Sequence, residues 1–192
     1  MIRIAVVGHR AQSSGDFSLN DLPGGAGRMD VLCRAVSSSL FLSHGMRRDV
    51  EVTLIFLGPP EPPVTVMFSG ENVRYLNPDE RSAGSLLKKA LTLPRGDEFR
   101  ESTKGVFVRR GGLKRLLIEH PFAVLDEEGK DVRKVAMLPE NYLLSDHLNF
   151  TDEEIKLVSG CPKFSVGPLP LHVDHAITLM LNEHDRRSAG WT

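Results

Sequence analysis

Cysteine is scarce in this chain: Cys33 and Cys161 are the two present among 192 residues. That excludes a disulfide framework and fits a reducing compartment, where a chain of this length folds on its hydrophobic core alone. An excess of one charge is also lacking. The 24 basic residues face 25 acidic ones, so any nucleic-acid contact must come from local clustering. Apolar runs stay far below the ~20 residues of a membrane helix, and the N-terminus lacks the features of a secretory signal. Metal-ligand patterns are thin. His172, Asp174 and His175 lie close together, but no third strong ligand follows at zinc spacing and the cysteines are remote, so no metal is expected. These absences leave one soluble, cytoplasmic domain over residues 1–192, bound to no membrane.

What is present alternates between strand and helix. "IRIAVVG" (2–8) and "VEVTLIFLG" (50–58) are short, continuous apolar runs rich in β-branched residues, the pattern of parallel strands buried on both faces. Met29, Leu32, Val36 and Leu40 mark one face of a helix over 28–42. "VTVMFSGENVRYL" predicts a hairpin with Gly70 near its tip. "NPDE" (77–80) predicts a helix start, with Pro78 as the first helical residue. "KGVFVRRGGLKRLLIEH" predicts a strand, a Gly-Gly turn and a helix over 113–119, and "PFAVLDEEG" and "NYLLSDH" predict further strands. In "NFTDEEIKLVSG", Thr151 and Glu154 predict a capping box, Phe150 and Ile155 a hydrophobic staple, and Gly160 a C-terminal stop. "KFSVG" (163–167) predicts the last strand. Val173, Ala176, Ile177, Met180 and Leu181 then share a face of the final helix. The alternation argues α/β, a mostly parallel sheet flanked by helices.

Three stretches hold candidate chemistry. "DLPGGAGRMD" (21–30) follows a strand and precedes a helix, yet it has neither the Lys nor the hydroxyl of a phosphate-binding loop, and it comes too late for a dinucleotide fingerprint. Its glycines either ease a tight helix entry or clear space for a bulky ligand. "GPLPLHVDH" (167–175) joins a strand to a helix, where α/β sheets hold ligands. Its prolines stiffen a backbone able to bond a flat heterocycle by its edges. The run from Lys104 to Arg115 carries Arg109, Arg110, Lys114 and Arg115 and no acid, which predicts phosphate contacts or, equally, a solvated face.

With these segments in this order, the chain resembles the archaeal tRNA pseudouridine-54 N1-methyltransferases of the SPOUT superfamily. The resemblance is carried by "GHRAQSSGDFSLNDLPGGAGRMDVLCRAV", "IFLGPP", "LLSDH" and "FSVGPLPLHVDHAITLMLNEHD" and covers essentially the whole chain. It implies a C-terminal deep trefoil knot, a homodimer, S-adenosylmethionine as cofactor and the T-loop of tRNA as partner. It implies a cofactor pocket at Leu125, Ser145, Asp146, Val166, Gly167, Pro168, Leu169, Pro170, Leu171, His172 and Ala176. Two positions depart from the family pattern: Ser145 stands where relatives commonly have Gly, and Ala176 where they often have Cys. A hydroxymethyl at 145 must therefore point away from the cofactor or tighten the pocket, and Ala176 weakens any role for a thiol in catalysis.

The bare backbone at Gly24, Gly25 and Gly27 then reads as the mouth that admits a flipped base. Transfer of a methyl group to N1 of pseudouridine needs alignment and loss of the N1 proton. Asp30 and Asp21 are the candidate bases, and Arg28, or Arg110 from a partner subunit, the candidate stabiliser of charge on the uracil carbonyls. A ribosomal RNA pseudouridine substrate, or a non-catalytic RNA-binding protein of the same fold, is the alternative.

Overall fold

The computed structural model describes residues 1–191; Thr192, the last residue of the expected 1–192 domain, lies outside the described residues. In chain order the elements are β1 (Ile2–Gln12), α1 (Met29–Leu40), the small hairpin of β2 (Phe41–Leu42) and β3 (Gly45–Met46), β4 (Val50–Gly58), β5 (Val64–Ser69) and α2 (Glu80–Thr92). Then come β6 (Arg100–Thr103), β7 (Val106–Arg110), α3 (Leu113–Glu119), β8 (Ala123–Asp131), a 3-10 turn (Val132–Lys134), β9 (Asn141–Ser145), α4 (Asp152–Val158), β10 (Lys163–Ser165) and α5 (Val173–Ser188).

Eight strands form one sheet in the order β10-β8-β9-β1-β4-β5-β7-β6. Each neighbouring pair from β10 to β4 is parallel, and β5, β7 and β6 extend the sheet antiparallel. The change of direction follows from linker length. "PPEPP" between β4 and β5 is too short for a crossover, so the chain must turn back beside itself. Along β1, Ile4 and Val6 pack under α1, α2 and α5, whereas Ala5 and Val7 pack on the other side with Leu113 and Leu116 of α3 and Val158 of α4. A strand with both faces covered has no polar side to alternate, which is why "IRIAVV" reads as continuous.

Several local expectations need correction. The hairpin expected within 64–76 does not form, because β5 pairs with β4 and β7 instead. Asp79 caps α2 by accepting from the Ser82 N–H, which leaves Pro78 outside the helix rather than at its first position. β1 runs on past Gly8 to Gln12. The capping box is present at Thr151 and Glu154. Gly160 follows Ser159 without a left-handed backbone, and Ile155 is half exposed.

Two backbone pinches shape the carboxyl end of the parallel half. Lys163 pairs with Val124, but the next residue, Phe164, pairs with Lys130. Residues 125–129 are thereby pushed out of the ladder as a bulge. At its base, a Cβ on Gly129 would come 2.5 Å from the Phe164 nitrogen. The second pinch explains the glycine loop. Gly27 has φ 68°, and a Cβ there would stand 1.9 Å from the Arg10 carbonyl oxygen. A Cβ on Gly58 would stand 2.3 Å from the same oxygen. Gly24 and Gly25 crowd only the flexible Asp21 carboxylate.

Gly27→Ala is therefore expected to cost at least ~2 kcal/mol, from a strained backbone plus a collision with main chain. Gly25→Ala should stay within ~1 kcal/mol, since a side chain can move aside. Urea unfolding of both variants measures the difference.

Candidate active site

The bulge of β8, the end of β9 and the loop from β10 to α5 enclose a cleft of about 590 Å³ at the carboxyl ends of the parallel strands, where α/β sheets hold their ligands. Leu125 comes from the bulge, Ser145 and Asp146 from the end of β9, and Val166, Gly167, Leu169, Pro170 and Leu171 from the loop. Ala176 lines it from one turn into α5. Pro168 and His172 are exposed and do not line it. The expected pocket residues are thus brought together apart from these two.

The cleft has walls that the sequence did not signal. Leu148, Asn149, Phe150 and Ile155 line it on the α4 side, and Asp126, Glu127 and Glu128 bring acidic groups to the bulge side. Lys163 holds Asp126 by an ion pair of 2.6 Å. The buried Ser165 hydroxyl donates to the Gly167 carbonyl at 2.6 Å and accepts from the Gly167 N–H at 3.1 Å, which fixes the first turn of the proline loop. A Cβ on Gly167 would meet nothing within 4 Å.

At the end of β9 both side chains are used internally. The Ser145 hydroxyl donates to the Leu148 carbonyl, so it turns back into its own loop. Asp146 Oδ1 accepts from the Leu148 N–H at 3.0 Å and pairs with His9 Nδ1 at 2.8 Å. Its Oδ2 accepts from the His9 N–H at 2.9 Å and faces His147 Nδ1 at 3.3 Å. Burial pushes the Asp146 carboxyl up, but the His9 and Leu148 hydrogen bonds outweigh it and hold the group below the usual carboxylate range. Both side-chain oxygens of Asp146 are thereby engaged within the protein. His9 was not foreseen. Its Nε2 lies 2.9 Å from Glu154 Oε2, so the capping-box glutamate has a second task that its sequence context conceals.

The glycine loop lies beyond the same end of β1. Arg28 sits at the N-terminus of α1 with a left-handed backbone, φ 65°. Its Nε and Nη2 donate to the two oxygens of Asp30 at 3.0 and 3.1 Å, and Arg34 Nη1 adds a bond of 2.8 Å. Arg34 also reaches Glu80 at 3.2 Å. Burial pushes the Asp30 carboxyl up, but the two guanidiniums outweigh it and hold the carboxyl low. Such a carboxylate is a poor proton acceptor. Asp21 is committed as well: its two oxygens accept from the N–H groups of Gly24 and Gly25 at 3.1 and 2.7 Å.

The basic run divides. Arg109 is buried, 4% exposed, with both terminal nitrogens on Glu119 and its guanidinium over the Phe99 ring. It cannot reach an RNA phosphate, which corrects the expectation drawn from the run. The acids missing from the run itself are supplied by the fold, since Arg115 pairs with Glu119 at 3.0 Å and Glu98 at 3.3 Å. Arg110 and Lys114 are exposed. Burial pushes the Cys33 thiol up inside the core. Among the described residues no group of three or more His, Cys, Asp or Glu is arranged to hold a metal, and no helix is long and apolar enough to cross a membrane.

The family model described as "Putative SAM-dependent RNA methyltransferase" matches residues 1–189. The chain is 57% identical to the tRNA (pseudouridine(54)-N(1))-methyltransferase of Methanocorpusculum labreanum, over 97% of this chain and 98% of that protein. It is 51% identical to the protein of that name from Methanospirillum hungatei, over 100% of both. Among solved structures, Archaeoglobus fulgidus Nep1 bound to S-adenosylhomocysteine superposes with a TM-score of 0.61 at 18% identity, covering 85% of this chain and 72% of that one. Similarity of this extent makes the chain a member of the SAM-dependent RNA methyltransferase family to which the tRNA (pseudouridine(54)-N(1))-methyltransferases belong.

Proposed function

We propose that this protein transfers a methyl group from S-adenosylmethionine to N1 of pseudouridine 54 in the T-loop of tRNA. The observation that carries this reading is the cleft: apart from Pro168 and His172, the residues that the family resemblance assigns to the cofactor line one cavity of about 590 Å³. The fit is chemical as well as steric. Leucine and valine side chains offer faces for a flat heterocycle, and Glu127 and Glu128 offer negative charge to a cationic cofactor, Asp126 being paired with Lys163. Gly167 leaves the loop backbone uncovered.

When bound, the cofactor supplies an electrophilic methyl group on a positively charged sulfur. The chain must align the base with it and handle the charge that appears as N1 loses its proton. Arg28 is the group we assign to that charge, with Asp30 aiming its guanidinium. Asp30, held low by its guanidiniums, is a poor base, and Asp21 has both oxygens on the N–H groups of the glycine loop, so the N1 proton is assigned to solvent water. The pinch at Gly27 holds Arg28 where α1 begins, at the carboxyl end of β1. Gly24 and Gly25, whose missing side chains would meet only the Asp21 carboxylate, form the mouth beside it, Gly27 being taken up by its contact with the Arg10 carbonyl, and exposed Arg110 and Lys114 take RNA phosphates. The enzyme works as a homodimer, supported by the exposed Leu169 and Leu171 at the cleft rim and Leu179 on α5, and in the cytoplasm, the compartment that a tRNA substrate implies. A C-terminal trefoil knot belongs to the same proposal. It rests on the family resemblance of the chain.

Three outcomes test the reading. Calorimetry should record S-adenosylmethionine binding that Gly167→Val abolishes while its melting temperature stays near that of the parent, because the added side chain meets no neighbour. Mass spectrometry of tRNA after reaction should find one added methyl on pseudouridine 54 and none on uridine, and a ribosomal RNA hairpin offered in parallel should stay unmodified. Arg28→Gln should lower kcat by about 100-fold with cofactor affinity unchanged.

The basic run yields a fourth. Arg110→Ala with Lys114→Ala should reduce the salt dependence of tRNA binding by about 0.7–0.9 per cation lost. Arg109→Ala should leave that slope alone and cost about 1–3 kcal/mol of stability instead.

A further inference from the structure

A second cavity, of about 640 Å³, adjoins the cleft and shares Leu148 with it; His9, Thr151 and Glu154 form part of its lining. His9 therefore stands where the wall of the cofactor cleft is anchored. Its side chain is 8% exposed, and the reading above assigns it nothing. We propose that the His9 imidazolium is a positioning residue for the cofactor cleft, holding the 145–149 loop and the start of α4 at the spacing that cofactor binding requires. The inference rests on the cofactor reading of that cleft.

Hydrogen counting fixes the charge on the ring. Nδ1 faces Asp146 Oδ1 at 2.8 Å and Nε2 faces Glu154 Oε2 at 2.9 Å. Carboxylates only accept, so both ring nitrogens must donate, and only the charged ring has two N–H groups. A neutral ring would turn a lone pair toward one carboxylate and lose that bond. His147 faces Asp146 at 3.3 Å and the Arg28 charge also acts on it, but neither reaches Glu154, so neither can replace the ring as the bridge between the two carboxylates. Asp146 otherwise accepts from the N–H groups of His9 and Leu148 and faces His147. Glu154 Oε2 otherwise accepts from the N–H and hydroxyl of Thr151. The remaining charged groups along the adjoining cavity are Arg10, Lys114 and Glu153. Asp146 fixes the loop carrying Ser145, Leu148 and Asn149, and Glu154 fixes the helix start carrying Phe150 and Ile155. Both segments are cleft wall.

The Asp146 hydrogen bond raises the proton affinity of His9, burial opposes it, and the Glu154 bond adds to the rise. The folded value thus lies above the ordinary 6.5. The clamp is complete below that ordinary value and is lost as pH rises through the raised one.

The test is calorimetry of S-adenosylmethionine with the full-length parent protein and with His9→Gln, from about pH 6 to about pH 9. Titration of the cofactor itself affects both proteins alike and cancels in the comparison. His9→Gln should bind about tenfold more weakly at the acid end, and the two profiles should converge at the alkaline end. A constant ratio at every pH, or no difference, overturns the inference. Should His9→Gln fail to fold, NMR titration of the His9 ring in the parent protein decides. Linkage requires saturating S-adenosylmethionine to raise its pKa, and an unmoved pKa overturns the proposal. Parent protein that binds no cofactor at any pH overturns the cofactor reading itself, an outcome distinct from binding that ignores His9.

Discussion

At the carboxyl end of β1 one imidazole ring is held between the carboxylates of Asp146 and Glu154, and the rest of the site is arranged around that joint. The three residues come from β1, from the end of β9 and from the first turn of α4. Two parallel strands that lie side by side in the sheet end there, and a helix begins. Parallel strands bring distant stretches of chain to one edge, and each stretch arrives with unpaired backbone groups. Here the Asp146 carboxylate accepts the backbone N–H groups of His9 and Leu148, and Glu154 accepts that of Thr151. Charge, backbone satisfaction and wall position are thus settled by the same few atoms.

The neighbouring geometry is settled by close backbone approach rather than by charge. The Arg10 carbonyl is pressed between Gly27 and Gly58, and the Phe164 backbone is pressed against Gly129. The first pinch sets where α1 starts and thereby where the Arg28–Asp30 pair stands. The second forces residues 125–129 out of the β8 ladder and opens the cleft on that side. Missing side chains at a few crossings leave room for a binding surface that the regular sheet would otherwise fill.

Much of this was legible in advance. The parallel strands announce themselves by continuous apolar runs, and the capping box at Thr151 and Glu154 is a spacing rule. The proline loop is read from composition and position. What failed to appear was either long-range pairing or double duty. The hairpin expected around Gly70 satisfied local alternation, yet β5 found better partners in β4 and β7. Arg109 looked free because its run contains no acid, and Glu119 arrives from the far end of α3. At Ser145 the residue type left two outcomes open, a hydroxyl turned away or a tightened pocket, and only the bond to the Leu148 carbonyl shows the hydroxyl turned into its own loop.

The amino-acid sequence by itself determined the α/β class, the segments that become the parallel strands, the loop from Gly167 and the family, because each depends on local pattern or on long collinear similarity. The tertiary structure alone decided that His9 meets Asp146 and Glu154, that Arg109 is buried and that Gly27 must lack a side chain. Those outcomes depend on which distant atoms share a few ångströms of space, and no rule of spacing along a chain encodes that.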